Sequence, residues 1–217
     1  MEDIAELEVF KYLSSLRIYF EGDLATFENV AFQIESVERP SLDDFNMGSM
    51  FDPKMFAQYN QSLTAEGNER FFRLTVPLAL SLFSIVDLLG YLISKENKHT
   101  DTEKNFKSFF QKSAIKVSEK EAEVINRIFR QGLAHVYFPK LGLGVKYHST
   151  NPEDKLFFKS SNHTIFLNVN RLKEIVLQTF RTVIEDATLY KNMEVKYQQL
   201  IAQYLQQVGN NIVNLNI

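Results

Sequence analysis

The chain has 217 residues, a net charge of −3, no cysteine, and 45% hydrophobic residues with 19 Phe among them. So much apolar material supports a sizeable core and argues against bulk disorder. The lack of cysteine excludes disulfides, thiolate metal sites and a Cys nucleophile. With 8 Gly and 5 Pro, a turn-rich all-β fold is disfavoured.

Charge is unevenly spread. Residues 1–66 carry 13 acids and 4 bases, and residues 67–217 carry 14 acids and 20 bases. Such asymmetry points either to a partner for the basic part or to an acidic segment packed beside it, and the second reading is favoured. The start Met1-Glu2-Asp3 lacks the basic and apolar regions of a secretory signal, so a soluble, cytoplasmic protein is expected.

In chain order, Ile4, Leu7, Phe10, Leu13 and Leu16 recur every three residues and predict an amphipathic helix over 3–20. A second helix is expected from Leu24 to Val37, ended by Pro40. Residues 40–68 hold Pro40, Gly48, Pro53 and Gly67 and read as an irregular linker. The expected division is therefore an acidic helical N-terminal region, 1–66, and a helical bundle, 67–217, forming one compact unit.

A long helix is expected from Glu69 to Ser94, with Pro77 kinking it or marking its start. Its apolar stretch Leu74–Ile93 has membrane-spanning length. It also holds Ser81, Ser84, Asp87 and Gly90. Asp87 alone would cost roughly 2.5–3.5 kcal/mol at a bilayer centre. A central bundle helix is the preferred reading, without a membrane. A polar connection, Lys95–Lys104, leads to a short helix around Phe106–Ala114.

Ser118 and Glu121 form a capping box. The helix that follows carries Ala122, Ile125, Ile128, Phe129 and Leu133, and Pro139 and Gly142 end it. Residues 143–168 then change period. Val145–Ser149, Leu156–Lys159 and Thr164–Leu167 predict a small hairpin or three-stranded insert. Asn168 or Asn170 caps a long helix with the stripe Leu172, Val176, Phe180, Val183, Ala187 and Tyr190. The phase slips near Asn192, which predicts a kink or two consecutive helices through Met193, Tyr197, Leu200 and Tyr204. The tail from Gly209 is expected to fray. The fold class is mainly α, a helical bundle with a small β insert.

Chemistry concentrates in Arg130–Tyr137, at the end of the capped helix. A guanidinium grips phosphate oxygens in a fork, and an imidazole moves protons near neutral pH. On RNA this pair suits attack of a 2′-hydroxyl on the adjacent phosphorus, without a metal. At ~100° per residue, His135 lies about 140° around a straight helix from Arg130. A break at Gly132, or a symmetric dimer joining the Arg of one subunit to the His of the other, would reconcile them. The bland alternative is a surface ion pair for Arg130 and a helix C-terminal cap for His135.

The Arg-x4-His spacing with Tyr two residues on resembles the motif of HEPN domains, particularly toxins paired with minimal nucleotidyltransferases. The resemblance implies a helical bundle, a homodimer, and a metal-independent ribonuclease site built from both subunits. By that match Arg130 holds phosphate, His135 is the acid–base group, and Tyr137 matches a tyrosine that the partner transferase modifies with AMP. The position after Arg is often Asn or Asp in the family and is Gln131 here. Asp87 is the candidate for the acidic residue that some members carry on an earlier helix. The likeness is strict over eight residues only. The competing expectation is a non-catalytic helical module binding a protein or nucleotide.

No cofactor or metal is expected. There is no glycine-rich phosphate loop, and His135, His148 and His163 follow no ligand spacing. His99 reads as a polar-loop residue. Glu121 with Glu123, and Glu185 with Asp186, read as solvated helix charges.

Overall fold

The computed structural model describes residues 4–35, 75–136, 143–146, 155–159 and 165–213. The linker 40–68, Tyr137, His148 and His163 lie outside the described residues. The protein is mainly α-helical with a small mixed sheet. After a 3₁₀ turn at Ile4–Glu6 come α1 (Glu8–Glu35), α2 (Thr75–Ile93), α3 (Thr102–Lys112) and α4 (Glu119–Val124). A π-helical segment, Ile125–Arg130, joins α4 to α5 (Gln131–Val136). Strands β1 (Leu143–Lys146), β2 (Phe157–Lys159) and β3 (Ile165–Asn168) precede α6 (Val169–Glu185), a 3₁₀ turn at Ala187–Leu189, and α7 (Tyr190–Val213).

Helix α2 forms the centre. It packs most extensively on α3 and also meets α5, α6, α7 and β1. Leu82, Val86, Leu89 and Leu92 are fully buried. By length and composition α2 could cross a membrane, yet 61% of its apolar window is buried within the protein. Pro77 sits in its first described turn, where a missing N–H costs little.

Two expected N-terminal helices are one. The apolar positions Val9, Leu13, Phe20 and Leu24 are all buried and keep one helical phase, so the core holds α1 together across Gly22. No packing forbids a helix at Gly22, whose Cβ position has open space. The buried residues of α1 belong to the same core as those of α2, α6 and α7.

The expected capping box is present. Ser118 Oγ accepts from Glu121 N at 3.2 Å, and Glu121 Oε2 accepts from Ser118 N at 2.8 Å. The π-helical segment beyond it was not expected. It buries Ile125, Asn126 and Phe129, and the Phe129 ring lies 5.8 Å from that of Phe157 on β2.

The insert is three-stranded, in the order β1-β3-β2. β1 runs parallel to β3 and β2 antiparallel to it. Gly144 leaves room for the Phe166 ring, since a Cβ there would lie 2.3 Å from it. Asn168, not Asn170, caps α6: its Oδ1 accepts from Arg171 N at 3.1 Å.

The break in the last long helix falls at Asp186, earlier than Asn192. Asp186 Oδ1 accepts from Thr188 N at 3.0 Å, which stabilises the turn instead of the helix. Ala187 is consequently exposed. Asn192 stays helical and donates to the carbonyls of Leu92 and Ser94 at 3.0 and 3.2 Å, satisfying orphan acceptors at the end of α2. Helix α7 continues past Gly209 to Val213, although residues 201–209 are all exposed.

Candidate functional site

Ser84, Asp87 and Tyr91 of the apolar helix α2 share one face. Leu80, Ser84, Asp87, Leu88 and Tyr91 line a cleft of about 320 Å³. Leu200 and Tyr204 of α7, Arg130 and His99 line it as well. Sequence position alone separates Asp87 from Arg130 by two helices and a loop.

Arg130 closes the π-helical segment with its side chain 32% exposed, and Asp87 is 23% exposed. Arg130 Nη2 and Asp87 Oδ2 are 3.8 Å apart. That is an ion pair beyond hydrogen-bond reach, and it leaves the guanidinium fork with donors to spare. Among the described residues, Asp87 is the ion partner of Arg130.

Asp87 is held from the other side. Asn105, fully buried on α3, donates from Nδ2 to Asp87 Oδ1 at 2.8 Å. This contact depends on Gly90: a Cβ there would lie 1.9 Å from the Asn105 carbonyl oxygen, so only glycine allows α2 and α3 to approach so closely. Burial pushes the Asp87 carboxyl up from its ordinary value, opposed by Asn105, Arg130, Thr102 and His99 in that order. Desolvation thus outweighs the favourable neighbours.

The loop bearing His99 is braced by buried groups. Lys196, 7% exposed, donates to the Asn97 carbonyl and lies 4.7 Å from the centre of the Tyr91 ring. Burial lowers the Lys196 ammonium from its ordinary value, with Asp101 opposing. Asn97 Nδ2 donates to Ser108 Oγ at 3.1 Å, and Asn105 Nδ2 approaches the carbonyls of Lys98 and His99 at 3.4 and 3.5 Å. The His99 ring meets Tyr91 edge-on, with centroids 6.3 Å apart.

Of the sequence candidates, the structure brings together Asp87 and Arg130. Gln131 is exposed, and the cleft does not include it. His135 lies on α5, and its side chain is outside what is described. His99 is the cleft residue that sequence reasoning missed. Its only signal was an imidazole following a polar run, which is ordinary for a loop. Among the described residues, no three His, Asp or Glu side chains converge as metal ligands.

Tyr190, Tyr197 and Tyr204 recur every seven residues but differ in role. Tyr190 is buried, and its hydroxyl donates to the Ile184 carbonyl at 2.6 Å, with burial pushing its pKa up to about 12. Tyr197 packs on Tyr12 at 5.0 Å. Tyr204 is 55% exposed at the cleft. No protein-family model matches the chain, and comparison with curated proteins and with solved structures gave no match.

Proposed function

We propose that the protein is a HEPN-like, metal-independent ribonuclease that acts as a homodimer in a toxin–antitoxin or defence setting in the cytoplasm. The observation that supports this reading is the Asp87–Arg130 pair at an open cleft, where the guanidinium fork makes no hydrogen bond among the described residues. Some members of the family that the Arg-x4-His-x-Tyr string resembles carry an acidic residue on an earlier helix, and Asp87 lies beside Arg130.

In this reading Arg130 binds the phosphodiester oxygens. His135 takes the proton from the 2′-hydroxyl, whose oxygen attacks phosphorus. The bond from phosphorus to the 5′-oxygen breaks as His135 delivers that proton to it, and the products are a 2′,3′-cyclic phosphate and a 5′-hydroxyl. The offset of about 140° between the two on a regular helix favours an Arg from one subunit working with the His of the other. Tyr137 is then the residue that a partner nucleotidyltransferase modifies.

A second reading is a non-catalytic interaction module. It is favoured by Ile201, Tyr204, Leu205 and Val208, which form an exposed apolar stripe at i, i+3, i+4 and i+7 on α7. The test is incubation of purified protein with total RNA, with and without EDTA, beside His135→Ala. The ribonuclease reading expects cleavage that survives EDTA and disappears in a folded His135→Ala protein. Intact RNA throughout favours the module.

A further inference from the structure

We propose that His99 is a second phosphate contact in the cleft, donating from its imidazole to the phosphoryl group that Arg130 grips. The proposal rests on the phosphate-binding part of the ribonuclease reading and adds a residue outside the Arg130–Tyr137 string. The ligand class is a ribonucleotide phosphate, either within a chain or terminal.

Three observations carry it. His99 and Arg130 lie on the same cleft of about 320 Å³, with Asp87 on the wall as well. His99 is exposed, and among the described residues its imidazole makes no hydrogen bond; its ring contact is the edge of Tyr91. Its backbone is nonetheless fixed. Lys196 and Ser108 hold Asn97, Asn105 reaches the carbonyls of Lys98 and His99, and Asp101 Oδ2 accepts from Lys98 N at 3.3 Å.

An exposed imidazole on a braced loop differs from an imidazole on a loose one. Its position is set before a ligand arrives, so binding costs little ordering entropy. The donor sets are also complementary. The guanidinium presents a planar fork, and the imidazole presents a single N–H. The Asp87 carboxylate attracts the guanidinium and would repel a phosphate placed directly on it. A phosphate is therefore favoured on Arg130 and His99, away from Asp87. Tyr204, exposed in the lining of the same cleft, supplies an aromatic ring for an attached base.

The test is calorimetric titration of adenosine 3′-monophosphate into the full chain, at low salt. Three variants are compared: His99→Phe, which keeps the aromatic contact with Tyr91 but has no donor; His99→Gln, which keeps a donor; and Arg130→Ala. The proposal expects about tenfold weaker binding in His99→Phe and Arg130→Ala. It expects His99→Gln to recover most of the affinity. Circular dichroism melts confirm that each variant is folded. Equal affinity in wild type and His99→Phe overturns the proposal, as does no saturable binding to the wild type. Loss in His99→Phe and His99→Gln alike also overturns it, because shape instead of the donor would then be responsible. RNA cleavage assayed in parallel separates the two ideas. Cleavage without any His99 dependence leaves the ribonuclease reading standing alone. Nucleotide binding that depends on His99, with RNA left intact, supports the phosphate contact and removes the catalytic reading.

Discussion

The two faces of α2 obey different rules. On the core face Leu82, Val86 and Leu89 are fully buried, and hydrophobicity alone accounts for them. On the cleft face Ser84 is exposed and Asp87 is partly buried against Arg130 and Asn105. Two polar residues in an apolar run of membrane-spanning length are explained by that second face. The lesson is that composition identifies the helix, while the exceptions to its composition identify the cleft.

Substitutions on the two faces should separate stability from function. The largest effect on stability is expected from Leu89→Ala on the core face, with a loss of roughly 2–5 kcal/mol from cavity formation. Chemical denaturation measures it directly. Gly90→Ala follows, at roughly 1–3 kcal/mol or more from overpacking. The added methyl would lie 1.9 Å from the Asn105 carbonyl oxygen. It should therefore also displace Asn105 from Asp87, giving a defect in cleft function larger than Leu89→Ala gives at equal stability. Equal effects on both would mean that the α2–α3 approach has no bearing on the cleft.

Asn168→Ala is expected to cost about 1–2 kcal/mol, since it removes the α6 cap and a contact to the Lys155 carbonyl at 3.3 Å. It should leave the cleft unaffected. Ser118→Ala should cost about 1 kcal/mol at the start of α4.

The smallest effect is expected at Asp87. The folded protein holds the Asp87 proton more tightly than the unfolded chain does, because burial is the leading influence. Its favourable contribution is complete below the ordinary value of 3.8 and is lost as pH rises through the raised folded value. Relative to Asp87→Asn, the wild type should therefore lose stability as pH increases across that window. Melting curves of both proteins from acid to neutral pH check the sign. A wild type that gains on Asp87→Asn over the same window would show that Arg130 and Asn105 outweigh desolvation.

Much of the fold was legible because it obeyed local rules. The Ser118–Glu121 box, the Asn168 cap, the three short strands and the apolar α2 each follow from a few neighbouring residues. Where distant packing decides, the sequence was less informative. The continuity of α1 depends on α6 and α7, and the π-helical segment has no recognised sequence signal. The break at Asp186 turned on a side-chain hydrogen bond that competes with the helix. At the site, Arg130 was singled out from residue type and Asp87 through the family resemblance. His99 was passed over, because its significance lies in the buried lysine and asparagines that fix its loop.

The most direct test of the account is Arg130→Ala, followed by thermal melting and RNA cleavage on the same preparation. The Asp87–Arg130 pair is partly exposed and 3.8 Å apart, so its loss should change stability by no more than about 1 kcal/mol. The account predicts a melting temperature within a few degrees of wild type, with cleavage to 2′,3′-cyclic phosphate ends abolished. A folded Arg130→Ala protein that cleaves RNA as wild type does would contradict it. A collapse in melting temperature would contradict it equally, by showing that Arg130 holds the fold together instead of waiting for a phosphate.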